Sequence, residues 1–182
     1  MLAGKPMDDL THGERAYCVA IADRIMRLRK LLDDAELCEP PDARRWFTYL
    51  ATMKSVQRNV HIDLSFVATL LAKAWLSQRF PILAFDAAAK AQGANGLDVD
   101  LKTTVGSRIV AEIKNTVPYG ANDFGAAQKR EFAKDFGKLN AVVADHKFLF
   151  VTNPRAFTLL RGKYSQQIPG VEIVLLEAED AS

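Results

Sequence analysis

Apolar and polar residues alternate along two neighbouring stretches near the middle of the chain, one on each side of a short polar segment that contains Gly106. From Leu97 to Lys102 every second residue is apolar, and Ile109, Ala111 and Ile113 repeat this period of two. A period of two on both sides of a glycine-containing turn predicts a β-hairpin. One face of this hairpin is apolar, and the other collects carboxylates and ammonium groups.

The polar face carries groups that are typical of metal-assisted chemistry. Glu112 and Lys114 are two residues apart, so their side chains project together. The residues before Glu112 are apolar on both faces, which predicts an interior strand where charges need a partner or a metal. Carboxylates suit Mg²⁺, and a neighbouring lysine can orient or deprotonate an attacking water. A hairpin with one solvated face is the simpler alternative.

An aspartate, a hairpin turn and then Glu112-Ile113-Lys114 resemble the motif of the PD-(D/E)XK nuclease superfamily, whose fold is restriction-endonuclease-like. The resemblance covers roughly residues 82 to 176, because the chain after the hairpin also continues as it does in that family. It implies that the first acid and Glu112 bind the metal and that Lys114 assists the attacking water.

Two aspartates on one face of the first strand are candidates for the first acid. Asp98 opens the strand after a glycine-containing loop, where the family usually places this ligand, whereas Asp100 could stand opposite Glu112 across the hairpin. The family's proline is missing, since Asn95-Gly96-Leu97 precedes Asp98. We expect both aspartates to be catalytic metal ligands, with Asp98 slightly favoured.

Three residues of the helix predicted after the hairpin complete the candidate site. Gln128 falls beside an apolar stripe with a four-residue spacing, where an amide needs partners that the backbone could also supply. Many nucleases of the family carry a Gln or Lys on this helix, so the resemblance implies a catalytic contact of Gln128 with the metal site or a phosphate. Lys129 and Lys134 are candidates for phosphate contacts with nucleic acid, although for each lysine taken singly a solvated side chain is the favoured interpretation.

The remaining pattern predicts an α/β fold, with a mixed β-sheet core flanked by helices and an all-helical N-terminal extension. KFLFVT at Lys147–Thr152 is apolar almost throughout, as in a central strand buried on both faces. Strands separated by helices predict parallel crossovers. Helices are predicted at 9–38, 43–56 (with Asp42 as N-cap), 63–77, from Asn122 or Asp123 to about Leu139, and 154–160. A strand end or short helix is predicted at 85–91 and a last strand at 171–176. Residues 177–182 are predicted to be a frayed tail.

Length and composition indicate one soluble globular domain, 1–182. The pattern of elements gives it a helical extension at 1–80, and the resemblance implies that 81–182 is a nuclease core. The net charge of +2 does not by itself indicate a nucleic-acid binder. Between Leu101 and Ser165, however, eleven Lys or Arg stand against five Asp or Glu, an excess of six that fits a phosphate-facing surface. Cys18 and Cys38 are read as reduced thiols. We expect a cytoplasmic protein, and no apolar run reaches the length of a membrane span.

The resemblance implies a Mg²⁺-dependent endonuclease that hydrolyses DNA phosphodiester bonds, with Mn²⁺ able to substitute. A lone core of this size is most like a type II restriction endonuclease, which would act as a homodimer to cut both strands. The alternatives are a repair or structure-specific nuclease, a non-catalytic nucleic-acid-binding module of the same fold, and an interaction protein whose hairpin charges are only salt-bridged.

Overall fold

A computed structural model describes residues 10–34, 42–89, 96–120 and 122–176, and the chain divides into two compact units between Asp63 and Leu64. The first unit contains the helices α1 (His12–Asp33) and α2 (Ala43–Gln57) and the start of α3 (Val60–Arg79). The predicted cap is confirmed, since the side chain of Asp42 accepts a hydrogen bond from Arg45 N. The helix predicted at 9–38 is described as far as Asp33, and residues 35–38 of the prediction lie outside the described ranges. α3 extends beyond the predicted 63–77 at both ends.

Many apolar side chains of the first two helices face solvent. Phe47 on α2 is 76% exposed, so of the two interpretations of its apolar stripe, a buried core or a dimer surface, the core is the one that Phe47 does not fit. Other large apolar side chains exposed on α1 and α2 are Val19, Ile25, Met26, Leu32 and Leu50.

One stretch of the chain, Ala43–Arg79, is long and apolar enough to cross a membrane by length and composition. The most apolar part of this stretch has a mean hydropathy of 1.2, and 22% of that part is buried. This stretch is interrupted by charged residues, so it is not one of the uninterrupted apolar runs on which the prediction of no membrane span was based. A core helix of a soluble protein passes the same test, and α3 packs Ala72 and Leu76 against the sheet. The cytoplasmic location therefore stays a prediction.

The second unit is built on a four-stranded mixed sheet in the order β1-β2-β3-β4. The strands are β1 (Val99–Lys102), β2 (Arg108–Lys114), β3 (His146–Val151) and β4 (Glu172–Leu175). β1 and β2 are antiparallel, whereas β2–β3 and β3–β4 are parallel pairs. The predicted hairpin and the predicted parallel crossovers are therefore confirmed.

Helices make the two crossovers between the parallel strands. α4 (Ala126–Ala141) connects β2 to β3, and α5 (Pro154–Leu159) starts the connection to β4, continuing as a π-helical turn over Leu160–Tyr164. α4 begins later than predicted, with Gly125 as its N-cap residue. The described part of the predicted element at 85–91 forms a turn at residues 87–89 and is neither strand nor helix.

The central strand β3 is buried on both faces, as its apolar sequence predicts. Phe148 and Phe150 pack on the side of α3, whereas Leu149 and Val151 pack on the side of α4. β2 alternates in the same way, with Ile109 and Ala111 toward α3 and Val110 toward α4. Because side chains alternate along a strand, Glu112 and Lys114 point to the α4 side of the sheet.

Candidate functional site

The register of the hairpin selects one of the two candidate aspartates. Val99, the first residue of β1, pairs with Ala111, so the same register carried one position beyond the strand places Asp98 opposite Glu112. The carboxyl groups of Asp98 and Glu112 interact directly. Asp98 Oδ2 also accepts a hydrogen bond of 2.8 Å from Ile113 N, which holds this carboxylate against β2. Directly opposed side chains on antiparallel strands lie close enough to share one ligand. Asp98 and Glu112 therefore form an acidic pair.

Asp100 is not brought to this pair. It stands opposite Val110, which corrects the alternative that placed it across from Glu112. Two residues along a strand correspond to roughly 7 Å, so Asp100 shares the face of Asp98 but lies toward the turn. There its carboxylate accepts two hydrogen bonds from the guanidinium of Arg108, at 2.9 and 2.7 Å, in an exposed ion pair.

Helix α4 adds an acid and a base to the acidic pair. Asp135 is only 3% exposed, and it lies in the apolar stripe formed by Phe132, Phe136 and Leu139. Lys138, one turn later, donates hydrogen bonds to Glu112 Oε1 at 2.9 Å and forms an ion pair with Asp135 Oδ1 at 3.1 Å.

Lys114, the lysine of the motif, contacts Asp135 rather than Glu112. Its Nζ lies 2.5 Å from Asp135 Oδ2, an oxygen that is buried and has no directional hydrogen bond, so the contact is an ion pair. Asp98, Glu112, Lys114, Asp135 and Lys138 are referred to below as the charged cluster.

The charged cluster holds three carboxylates and two ammonium groups, so it carries one excess negative charge when every group is ionised. Glu112 is 1% exposed. Burial, and then the neighbouring charge of Asp98, raise the pKa of Glu112 to about 7, although its hydrogen bond with Lys138 opposes the shift. At acidic pH a proton on Glu112 therefore balances the excess charge of the cluster. At higher pH a bound cation could balance it.

The carboxylate oxygens of the acidic pair are of the kind that binds a magnesium ion. Mg²⁺ is usually held by one or two carboxylates, with waters and substrate phosphates as the other ligands. Within residues 10–34, 42–89, 96–120 and 122–176, no three His, Cys, Asp or Glu side chains are grouped to hold a metal by themselves. The protein would therefore supply Asp98 and Glu112, and water and phosphate would supply the remaining ligands.

The difference between the two aspartates leads to a prediction for metal binding. Asp98→Asn is expected to weaken Mn²⁺ binding by about a hundredfold or more, because even loss of an outer-shell partner typically costs 10- to 100-fold. Asp100→Asn, a matched change on the same strand face, is expected to leave the affinity unchanged. Titration calorimetry with Mn²⁺ at pH 8.5 measures both affinities, and equal losses in the two variants would contradict the register argument.

Gln128 lies at the N-terminus of α4, and the structure does not bring it to the charged cluster. Its Oε1 accepts hydrogen bonds from Gly125 N at 3.0 Å and Tyr119 N at 3.3 Å, and its Nε2 donates to Val117 O at 2.7 Å. The first turn of a helix has backbone N–H groups without intrahelical partners. The amide of Gln128 therefore caps α4 and ties the preceding loop to it, which is the backbone alternative.

Gln128→Ala is expected to lower the free energy of unfolding by about 1 kcal/mol, the usual cost of losing a helix cap. Because the amide does not contact the charged cluster, the affinity for Mn²⁺ is expected to stay that of the wild type. Urea unfolding and metal titration of the same preparation test the two statements. Weaker metal binding with unchanged stability would instead favour the catalytic role that the family resemblance implies.

The two lysines proposed for phosphate contacts have different surroundings. Lys129 forms an ion pair with Asp123 at 2.7 Å, and Tyr164 donates a hydrogen bond of 2.6 Å to the same carboxylate. Lys134 is exposed on α4, with no ion pair to another described residue. Lys134 is therefore the more available of the two for a phosphate, and the role of both in nucleic-acid binding stays a prediction.

Asp135 and Lys138 are not among the site residues predicted from the sequence. The signal that could have found them is a carboxylate inside an apolar helical stripe, since Asp135 is three residues after Phe132 and immediately before Phe136. A buried acid on a helix requires a cation nearby. Lys138, three residues later on the same face, would have been the first candidate.

No protein-family model matches this chain, and a search of curated proteins finds no match. The functional assignment therefore depends on the geometry and charge of the cluster itself.

Proposed function

We propose that this chain is a Mg²⁺-dependent endonuclease that hydrolyses phosphodiester bonds in DNA and has the restriction-endonuclease-like fold of the PD-(D/E)XK superfamily. The observation that carries the proposal is the opposition of Asp98 and Glu112 across the hairpin, in a cluster with excess negative charge. Lys114, two residues after Glu112 on β2, supports it because strand alternation places it on the same side of the sheet.

Each group of the cluster has a role in such a reaction. Asp98 and Glu112 would hold the metal. A divalent ion bound there would neutralise the scissile phosphate and lower the pKa of the attacking water. Lys114 would orient that water, with the 3′-oxygen leaving. Asp135 would act as a positioning residue, because its buried carboxylate fixes the ammonium of Lys114.

The arrangement of the second unit supports the finer fold assignment. The hairpin, α4 and the parallel strand β3 follow one another, and α3 covers the other face of the same sheet. β2 thus lies in the interior of the sheet, between β1 and β3. An interior strand places its acid and lysine in partly desolvated surroundings, where electrostatic interactions with a phosphate are strong.

Among nucleases, a type II restriction endonuclease is the class proposed first. One charged cluster cuts one strand, so cleavage of both strands would require a homodimer with two clusters. A cytoplasmic location belongs to the same proposal, because the DNA substrate would be met there. Repair and structure-specific nucleases are variants with the same chemistry and a different choice of DNA.

One observation favours a non-catalytic nucleic-acid-binding module as the second candidate. Lys114 is paired with Asp135, and Lys138 is paired with Glu112, so ion pairs inside the cluster already offset most of its charge. A binding module of the same fold, or an interaction protein with a salt-bridged hairpin, would need no metal.

The test is cleavage of supercoiled plasmid and circular single-stranded DNA in Mg²⁺ or Mn²⁺ by the wild type and Glu112→Gln. Glu131→Gln, an exposed glutamate on α4, is the matched control. Discrete products that Glu112→Gln fails to make would support a restriction enzyme, whereas diffuse degradation would favour a repair or defence nuclease. DNA binding without cleavage, unaffected by Glu112→Gln, would replace the proposal by the binding module.

A further inference from the structure

Lys138 has oxygen atoms around its ammonium, beside Glu112 of the acidic pair. Its Nζ lies 2.9 Å from Glu112 Oε1, 3.1 Å from Asp135 Oδ1 and 3.3 Å from Gly96 O. A carboxylate and carbonyl environment of this kind is what a hard metal cation also selects. The ammonium of Lys138 therefore contacts oxygen atoms that could also coordinate a metal ion bound to Glu112.

The charge state and flexibility of Lys138 allow it to stand in for a cation. Its ammonium contacts the carboxylates of both Glu112 and Asp135, and these contacts favour its charged form. Its side chain is 35% exposed, and the four-carbon stem of a lysine can reorient at little cost. Glu112 is 1% exposed, so it cannot turn to solvent when its partner leaves.

We propose that Lys138 is a resident cation that holds the place of the divalent metal at Glu112. In the metal-free protein its ammonium neutralises Glu112, and it withdraws from Glu112 when the metal binds, while its contact with Asp135 is kept. The inference rests on the proposed function, because it takes Asp98 and Glu112 to be the metal ligands. Its consequence is that metal and lysine compete for one carboxylate.

The experiment compares Mn²⁺ affinities by titration calorimetry at pH 8.5, where Glu112 is mainly ionised. Lys138→Met and Lys138→Gln are expected to bind Mn²⁺ about tenfold more tightly than the wild type, which corresponds to about 1.4 kcal/mol. Lys138→Arg keeps the charge and is expected to bind no more tightly. Arg130→Met, on the exposed face of the same helix, is the matched control and is expected to behave as the wild type.

Thermal unfolding of the same variants gives a second measurement that does not depend on DNA cleavage. Without metal, Lys138→Met is expected to melt below the wild type because Glu112 loses its cation. Saturating Mn²⁺ is expected to reduce this difference to the part that comes from the lost contact with Asp135, since the metal then neutralises Glu112 in both proteins. A purely structural lysine would leave the same deficit with and without metal.

The outcomes separate this inference from the proposed function. If the wild type binds Mn²⁺ and both uncharged variants bind it equally or more weakly, the resident-cation role is wrong and the proposed nuclease stands. If neither the wild type nor any Lys138 variant binds Mn²⁺, both are wrong. Tighter binding by Lys138→Arg as well would also contradict the inference, because it would show that charge is not what competes.

Discussion

Glu112→Gln is expected to abolish metal-dependent DNA cleavage and, at the same time, to stabilise the protein at alkaline pH. The amide keeps the shape of the carboxyl group but cannot supply a negative charge to a metal. Metal-ion stabilisation of the transition state is typically several kcal/mol, so we expect the rate to fall by about a thousandfold or more. Stability changes in the opposite direction, because Glu112 is buried beside Asp98.

The sign of the stability effect follows from the pKa of Glu112, which is about 7 in the folded protein against an ordinary value of 4.5. Between these values the folded protein binds more protons than the unfolded chain, so the free energy of unfolding falls as the pH rises. The loss of stability caused by ionising the buried Glu112 is absent well below pH 4.5 and complete above about pH 7. Glu112→Gln lacks it and should be more stable than the wild type by about 2 to 3 kcal/mol at pH 8.5.

Urea unfolding of the wild type and Glu112→Gln at pH 4 and pH 8.5, without metal, measures this difference. Glu131→Gln serves as the control for removing a carboxylate from an exposed position. A stability gain that is the same at both pH values would contradict the burial argument. A loss of stability at pH 8.5 would mean that the ion pair with Lys138 outweighs the cost of burying Glu112.

Lys114→Met is expected to reduce both stability and cleavage, for two different reasons. It leaves the carboxylate of Asp135, which is 3% exposed, with Lys138 as its remaining charged neighbour. Breaking a buried pair from one side usually costs about 3 to 5 kcal/mol, and the contact with Lys138 should limit the loss here to about 2 to 3 kcal/mol. Under the proposed mechanism, cleavage should fall because the attacking water would lose its ammonium partner.

A double variant separates the structural role of Lys114 from its role in cleavage. Lys114→Met with Asp135→Asn removes both charges of the pair, so most of the lost stability should return. Cleavage should not return, because no ammonium group is restored near the water. The measurements are urea unfolding and plasmid cleavage in Mn²⁺. Recovery of cleavage together with stability would show that Lys114 acts only as a partner of Asp135.

The parts of the fold that the sequence predicts well are those determined by local patterns. The hairpin follows from a period of two around Gly106, whose φ of 90° is the left-handed conformation that favours glycine. The central strand follows from the apolar run of β3, which is buried on both faces. The ends of helices depend on capping contacts, and α4 starts at Ala126 because Gly125 and Gln128 form its N-terminal cap.

The site could be predicted only in part, because its completion depends on contacts between distant segments. Alternation along the strands places Asp98, Asp100 and Glu112 on one face, but only the register shows that Asp98 opposes Glu112. The contact between Lys138 and Glu112 joins residues 26 positions apart, and no local period encodes how α4 is rotated on the sheet. The family resemblance implies a catalytic contact for Gln128, whereas its position in the first turn of α4 gives it a capping role.

Cleavage of supercoiled plasmid DNA by the wild type, Asp98→Asn and Asp100→Asn, each with and without Mg²⁺, most directly decides whether the opposed acidic pair is a catalytic centre. We predict Mg²⁺-dependent cleavage by the wild type and Asp100→Asn, and none by Asp98→Asn. Chelation of the metal should stop the reaction, and adding Mg²⁺ back should restore it. Cleavage by Asp98→Asn at the wild-type rate, or no cleavage by the wild type in either Mg²⁺ or Mn²⁺, would contradict the assignment.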